Sequence, residues 1–363
     1  MLKKARLIAF YLPQFHPIPE NDKWHGKGFT EWTNVTKAKP LFKGHYQPIL
    51  PSELGFYDLR VPEIRIAQAE LAKEYGIEAF CYWHYWFGNG KRILERPFNE
   101  VIESGEPDFP FCLAWANSSW TGIWYGMSDN TLLEQTYPGA EDHKSHFYAM
   151  LNAFRDKRYF KVNGKLLFFI YDPLRLPNSK RFMELWQELA KKEGLNGFYF
   201  VGATHYNEVL EDYDATTHLD PFESPPLKHN IFDKITLKLF GKDSYNVKRL
   251  FKRIPRRVQL YEELANYLEK KQLKENEFPL IAPNWDNTAR CKENGSVLHN
   301  STPELFEKML QNAIGKIEHI KEPDKRIIFV EAWNEWAEGN YLEPDMKFGR
   351  GYLEVIKRNI FIK

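Results

Sequence analysis

A single parallel (β/α)8 barrel of the TIM type, with long insertions in its βα loops, is the fold this sequence predicts. Three observations lead there. Short β-branched and aromatic runs alternate with segments of helical period along the whole chain. Eight such runs can be counted. The length of 363 residues suits one barrel, since barrels commonly run about 200 to 400 residues as a unit. An open doubly wound sheet is the plainer alternative on the same alternation.

The expected strands are residues 6–12, 79–86, 111–116, 166–171, 197–203, 215–219, 280–284 and 326–332. Those at 111–116 (FCLAWA) and 326–332 (RIIFVEA) are near-continuous apolar runs, as strands covered on both faces should be. The sixth is polar and short. Helices are expected at 62–75, 92–104, 140–156, 180–192, 260–271 and 302–320, where apolar residues recur at three and four spacing. The first carries Pro62 early and Gly76 just past its end, the usual asymmetry of helix termini.

Two stretches exceed a minimal barrel, and both are placed inside one catalytic domain of residues 1–363. Residues 13–61 form a long first βα loop rich in Pro, Gly and Trp, and loops of that length are usually functional or structured lids. Residues 222–257 carry Lys228, Lys234, Lys238, Lys242, Lys248, Arg249, Lys252, Arg253, Arg256 and Arg257 against Glu223, Asp233 and Asp243. This basic insertion reads either as a solvated face or as a patch for peripheral contact with anionic membrane through 228–257.

Bulk charge excludes some functions. Lys plus Arg number 50 and Asp plus Glu 49, a net +1, so no overall field recruits nucleic acid. Cys81, Cys112 and Cys291 lie far apart without metal-ligand spacing and read as reduced core thiols. No histidine spacing suggests a metal, and no phosphate-binding glycine loop suggests a nucleotide cofactor, so none is expected of either kind. The apolar stretch at 7–12 reads as a strand too short for a signal peptide, which gives a cytoplasmic expectation.

In a barrel the active site lies at the C-terminal ends of the strands, and here those ends mix aromatic with polar residues. Candidate sugar contacts are Tyr11, Gln14, His16, Trp83, His84, Trp115, Asn117, Trp120, Tyr171, His205, Asn284, Trp285, Asn334 and Trp336, with Trp32 from the first loop. Ring faces stack on sugar C–H surfaces while hydroxyls need directional partners. The constellation points to a carbohydrate. Glu335 and Glu338 leave the last strand three residues apart, so one helical turn projects them to the same side. Two carboxylates at one site resist joint ionisation, and such a pair is the equipment of glycoside chemistry. Glu331 alternates with the strand residues and is expected to face the barrel interior.

The segments FYLPQFHP (10–17), GFTEWTNV (28–35), GIEAFCYWHYWF (76–87), LAWAN (113–117) and WNEWAEG (333–339) together resemble the WbsX-like proteins. These are labelled glycosyltransferases of bacterial polysaccharide and O-antigen loci and described as glycoside hydrolase family 99-like. The resemblance covers nearly the whole chain. It implies a metal-free (β/α)8 barrel acting on α-glycosidic bonds in surface polysaccharide or lipopolysaccharide metabolism. Family 99 enzymes are retaining endo-α-mannosidases and mannanases. By the family's mechanism, Glu335 is the base that takes the sugar 2-hydroxyl proton so that O2 attacks C1. Glu338 is then the general acid and later base, expected in the drier setting with its proton retained. The alternatives are transfer from a nucleotide-sugar donor, which the basic insertion would help hold, and a non-catalytic glycan-binding module.

Overall fold

The computed structural model describes residues 2–122, 130–205, 210–219, 238 and 254–362. Of the basic insertion at 222–257, all but 238 and 254–257 lies outside the described residues.

The barrel strands are β1 (Arg6–Tyr11), β2 (Ile77–His84), β3 (Phe111–Trp115), β4 (Lys165–Ile170), β5 (Phe198–Thr204), β6 (Ala215–His218), β7 (Glu277–Phe278), β8 (Leu280–Ile281) and β9 (Ile327–Val330). They pair in the order β7-β6-β5-β4-β3-β2-β1-β9-β8, every pair parallel. β7 and β8 are halves of one extended segment broken at Pro279, which has no N–H to give the ladder. The first half pairs with β6 and the second with β9, so the sheet closes and eight barrel positions are filled.

Strand alternation then sorts side chains to two faces. Inside, Phe10 stacks on Trp83 at 4.8 Å and 7° and meets Phe169 at 5.1 Å and Phe329 at 5.5 Å. These four rings plug the barrel below its C-terminal mouth. Outside, Phe111 packs against Phe98 and Tyr159, and the Tyr11 hydroxyl donates to Gln68 Oε1 at 2.6 Å.

Gln68 belongs to α3 (Pro62–Tyr75), after α1 (Pro19–His25) and α2 (Glu31–Lys37) in the first loop. Then follow α4 (Arg96–Ser104), α5 (Ala140–Arg155), α6 (Ser179–Lys192), α7 (Tyr261–Lys270), α8 (Thr288–Cys291), α9 (Pro303–Ile317) and α10 (Gly351–Ile360). α3 starts on Pro62 and stops where Gly76 takes φ 95°, and a Cβ at Gly76 would lie 2.6 Å from Ile360 of α10.

The first loop is a structured cover rather than an open excursion. Phe15, Trp32 and Tyr57 pack at 4.7 to 5.1 Å, and the Trp32 indole N–H donates to the Tyr57 carbonyl at 2.8 Å. Cys81, Cys112 and Cys291 are buried free thiols. Among the described residues, no helix is long and apolar enough to cross a membrane.

Candidate active site

Past β9 the chain turns over the barrel mouth. Asn334–Glu335 pairs antiparallel with Asn340–Tyr341, and one 3₁₀ turn, Trp336–Glu338, joins them. Three anchors fix this hairpin. The buried Asn334 amide accepts from Leu12 N–H at 2.7 Å and donates to Leu12 C=O at 3.0 Å, which ties it to the end of β1. Trp333 N–H donates to Phe10 C=O at 2.8 Å. Gly339 sits at φ 57°, where a Cβ would lie 2.8 Å from the Asp286 nitrogen, so only glycine fits. A 3₁₀ turn has three residues per turn and therefore eclipses side chains three apart. Glu335 and Glu338 accordingly converge.

What they converge on is Arg290, presented by α8 on the loop after β8. Its Nη1 bonds Glu338 Oε1, its Nη2 lies 3.6 Å from Glu335 Oε2, and its Nε donates to Glu31 Oε2 at 3.0 Å. Three carboxylates thus surround one guanidinium, all of them largely out of solvent. The charge balance is negative, and in low dielectric this favours a proton on one carboxylate. Burial first, then the Glu338 charge, pushes the Glu335 carboxyl up to about 8, against the pull of Arg290 and of the Trp83 N–H donated at 2.8 Å. Burial likewise raises the fully enclosed Glu31, with Arg290 opposing. Glu335, expected as the base, is thus a carboxyl that burial and its neighbour's charge raise, and Arg290 lies farther from it than from Glu338.

The floor is Trp83, whose indole lies on the Phe10 ring. Tyr171 stands edge-on to it at 5.8 Å, and His205 is edge-on to Tyr171 at 5.3 Å. Burial raises the Tyr171 phenol well above its ordinary range, and the charges of Glu338, Glu331, Asp172 and Glu335 raise it further. Tyr171, Glu331 and the pair therefore share one environment.

Of the residues expected to touch sugar, Trp83, Tyr171 and His205 gather here with Glu335 and Glu338. Asn284 and Trp285 lie beyond the hairpin, beside Gly339. Tyr11, His84 and Trp115 are on the outer strand faces. His84 Nε2 is 2.7 Å from His146 Nε2 on α5, and the Trp115 N–H donates to the Trp86 carbonyl at 3.0 Å. Gln14, His16 and Trp32 are buried in the first loop. Asn117 braces the loop after β4 by accepting from Asp172 N–H at 2.7 Å. Trp336 stacks on Tyr341 at 4.0 Å with its N–H on Glu343 at 2.6 Å, and Trp120 meets Tyr85 at 5.3 Å and Trp24 at 5.9 Å. Glu31 and Arg290 were not singled out from sequence. Glu31 sits inside the GFTEWTNV segment, a charge embedded among aromatics, which was the available signal.

The model of the glycosyltransferase WbsX family matches residues 7–356. This chain belongs to that family. Among its relatives are two proteins of Xanthomonas campestris pv. campestris called uncharacterized protein WxcX, 34% and 35% identical over 358 residues. The alignment takes in 98% of this chain but 49% of each relative, so this WbsX-family chain spans about half the length of the curated relatives it matches. In three dimensions it is similar to a glycoside hydrolase-like protein (TM-score 0.60, 15% identity, 99% of this chain and 94% of the other). It is also similar to the GH99 endo-alpha-mannosidase of Bacteroides thetaiotaomicron (TM-score 0.55, 14% identity, 99% and 96%). At those identities the likeness establishes the barrel fold of this WbsX-family member.

Proposed function

We propose that this chain is a carbohydrate-active enzyme that cleaves α-glycosidic bonds of a polysaccharide or oligosaccharide with the Glu335/Glu338 pair. The observation that carries this reading is the pair itself: two largely buried carboxylates eclipsed on one 3₁₀ turn over an aromatic floor at the mouth of a closed barrel. The pair works with one proton. In the leading mechanism Glu335 takes the 2-hydroxyl proton, O2 attacks C1 to close a 1,2-anhydro sugar, and Glu338 gives its proton to the departing glycosidic oxygen. Water then opens the anhydro ring, losing a proton to Glu338, while Glu335 returns its own to O2.

In the free chain Arg290 bonds Glu338, while burial and the neighbouring charge raise the Glu335 carboxyl, the group this mechanism uses as its base. This same placement favours a second reading, with Glu335 as the acid and Glu338 as the base. The family description supports a third, transfer from a nucleotide-sugar donor.

Product chromatography with mass detection separates them, using α-manno-oligosaccharides and bacterial polysaccharide repeats with and without nucleotide sugars. Donor-independent shortening, lost by about 10²-fold or more in Glu338→Gln, is the expected result. Donor-dependent lengthening would make the chain a transferase. Full activity of Glu338→Gln would end the assignment of the pair. Aryl glycosides with good leaving groups distinguish the two role orders, because they restore turnover only to the variant that lacks the acid.

A further inference from the structure

Beside the hairpin, against Gly339 and Tyr341, lies a cavity of about 510 Å³, open solvent at its mouth included. The first loop supplies His45 and Tyr46, the loop after β8 supplies Trp285 and Asp286, and the segment leading to α10 supplies Lys347 and Phe348. We propose that it binds an acidic sugar residue of the glycan, held by its carboxylate on Lys347 and by its ring on Tyr46. This rests on the carbohydrate reading above.

The acids lining the cavity are already occupied. Asp286 accepts from His45 Nε2 at 2.6 Å and Gln47 Nε2 at 2.7 Å on one oxygen, and from the Thr288 N–H and hydroxyl on the other. His45 is fixed as the donor there, because its Nδ1 accepts from Leu41 N–H at 3.0 Å. Asp345 accepts from the Tyr341 hydroxyl and from the N–H groups of Lys347 and Phe348. Both carboxylates are thus turned onto fixed donors of the protein, and neither is ion-paired with Lys347.

Lys347 is the contrasting group. Its ammonium lies 4.9 Å from the Tyr46 ring centre and 4.5 Å from that of Phe348, and among the described residues no carboxylate pairs with it. A cation over ring faces keeps its donors available for an incoming anion. Tyr46 is 40% exposed, a large surface aromatic beside an unpaired ammonium. Ring face and point cation together match a pyranose that carries a carboxylate: the C–H face stacks and the charge pairs. A bare phosphate would use the lysine and leave the ring unused. Gly339 links this cavity directly to Glu338 in the chain, so an acidic residue held here would fix the glycan's register against the pair.

Isothermal titration of the intact chain with a glucuronic-acid-terminated disaccharide and with its carboxyl-reduced neutral counterpart tests this. The acidic form is expected to bind about tenfold tighter, on the scale of a solvent-exposed charge-assisted contact. Lys347→Ala should abolish that preference, and Tyr46→Ala should weaken both ligands. The titration reads binding and not turnover, so an inactive enzyme that shows the preference leaves the proposal standing and separates this site from the catalytic reading. Equal affinity for the two disaccharides, no binding of either, or a preference that survives Lys347→Ala would overturn it.

Discussion

Glu335 and Glu343 lie eight positions apart on one segment, both buried carboxyls, and they are solvated by the protein in opposite ways. Glu343 accepts from the Trp336 indole at 2.6 Å, Gln68 Nε2 at 2.6 Å and the Tyr57 hydroxyl at 2.8 Å, all neutral donors. Burial pushes it up to about 7 while those donors pull it down. Glu335 has one indole donor, a guanidinium 3.6 Å off and a second carboxylate beside it, and rises to about 8. Fixed donors on both oxygens make a structural strut, since the carboxyl is held from three sides by neutral groups. Glu335 keeps acceptor capacity free and shares its charge balance with a neighbour. Such under-satisfaction is costly to the fold and is what a proton-transfer group requires.

The comparison breaks most visibly at Arg290. Arg290→Met leaves Glu31, Glu335 and Glu338 buried with no cation, and removing one partner of a buried charge cluster costs on the order of 3 kcal/mol. Urea denaturation at pH 7 should show that loss, and at pH 5 a smaller one, because protonating the carboxylates relieves the repulsion. A variant as stable as the parent at both pH values would mean that Arg290 does not balance these charges.

The strut should answer differently. Glu343→Gln replaces an acceptor-only group by an amide whose NH₂ faces donors, leaving at least one of them unpaired, for about 2 kcal/mol of stability. Turnover per folded molecule should stay within about threefold, because Glu343 meets Tyr57, Gln68 and Trp336 behind the hairpin rather than the mouth. A loss of activity matching that of Glu338→Gln, in a variant that remains folded, would erase the distinction between the two acids.

How much of this could be read from sequence follows from what is local. All eight strand positions were legible because β-branched and aromatic runs mark them, and β3 and β9 were plain because both faces are buried. The same double burial hid which face each residue takes. In β3, Phe111 and Trp115 share the outward parity, so Trp115 lies under α5 and α6 although its spacing to the mouth suggested sugar. α10 was not anticipated from the sequence. The seventh strand was placed at 280–284, but Pro279 moves its pairing to Glu277–Phe278 and Leu280–Ile281. Glu335 and Glu338 were legible from a spacing of three. Arg290 was not: its partners lie 259 positions before it and 48 after it, and no short-range pattern encodes that meeting.

The finest test concerns where the shared proton rests. Glu335 has a folded pKa raised to about 8, above the range of an unfolded glutamate. Between those values the native chain keeps a proton that the unfolded chain has released, so the group's contribution to stability falls as pH rises through that window. A glutamine there cannot ionise and escapes the penalty. Glu335→Gln should therefore be more stable than the parent at pH 8 by about 1 kcal/mol more than at pH 5, part of the full linkage being offset by Arg290 closing on the ionised group. Thermal melts of the two proteins across pH 5 to 8 measure the difference. Its sign matters more than its size: a gap that grows toward pH 8 places the proton on Glu335. A flat gap would put it on Glu338, with the resting charges in the order the 2-hydroxyl mechanism needs from the start. The same melts on Glu343→Gln should show a loss that narrows toward pH 8, since Glu343 is itself raised to about 7, but remains a loss because three fixed donors are deprived of their acceptor.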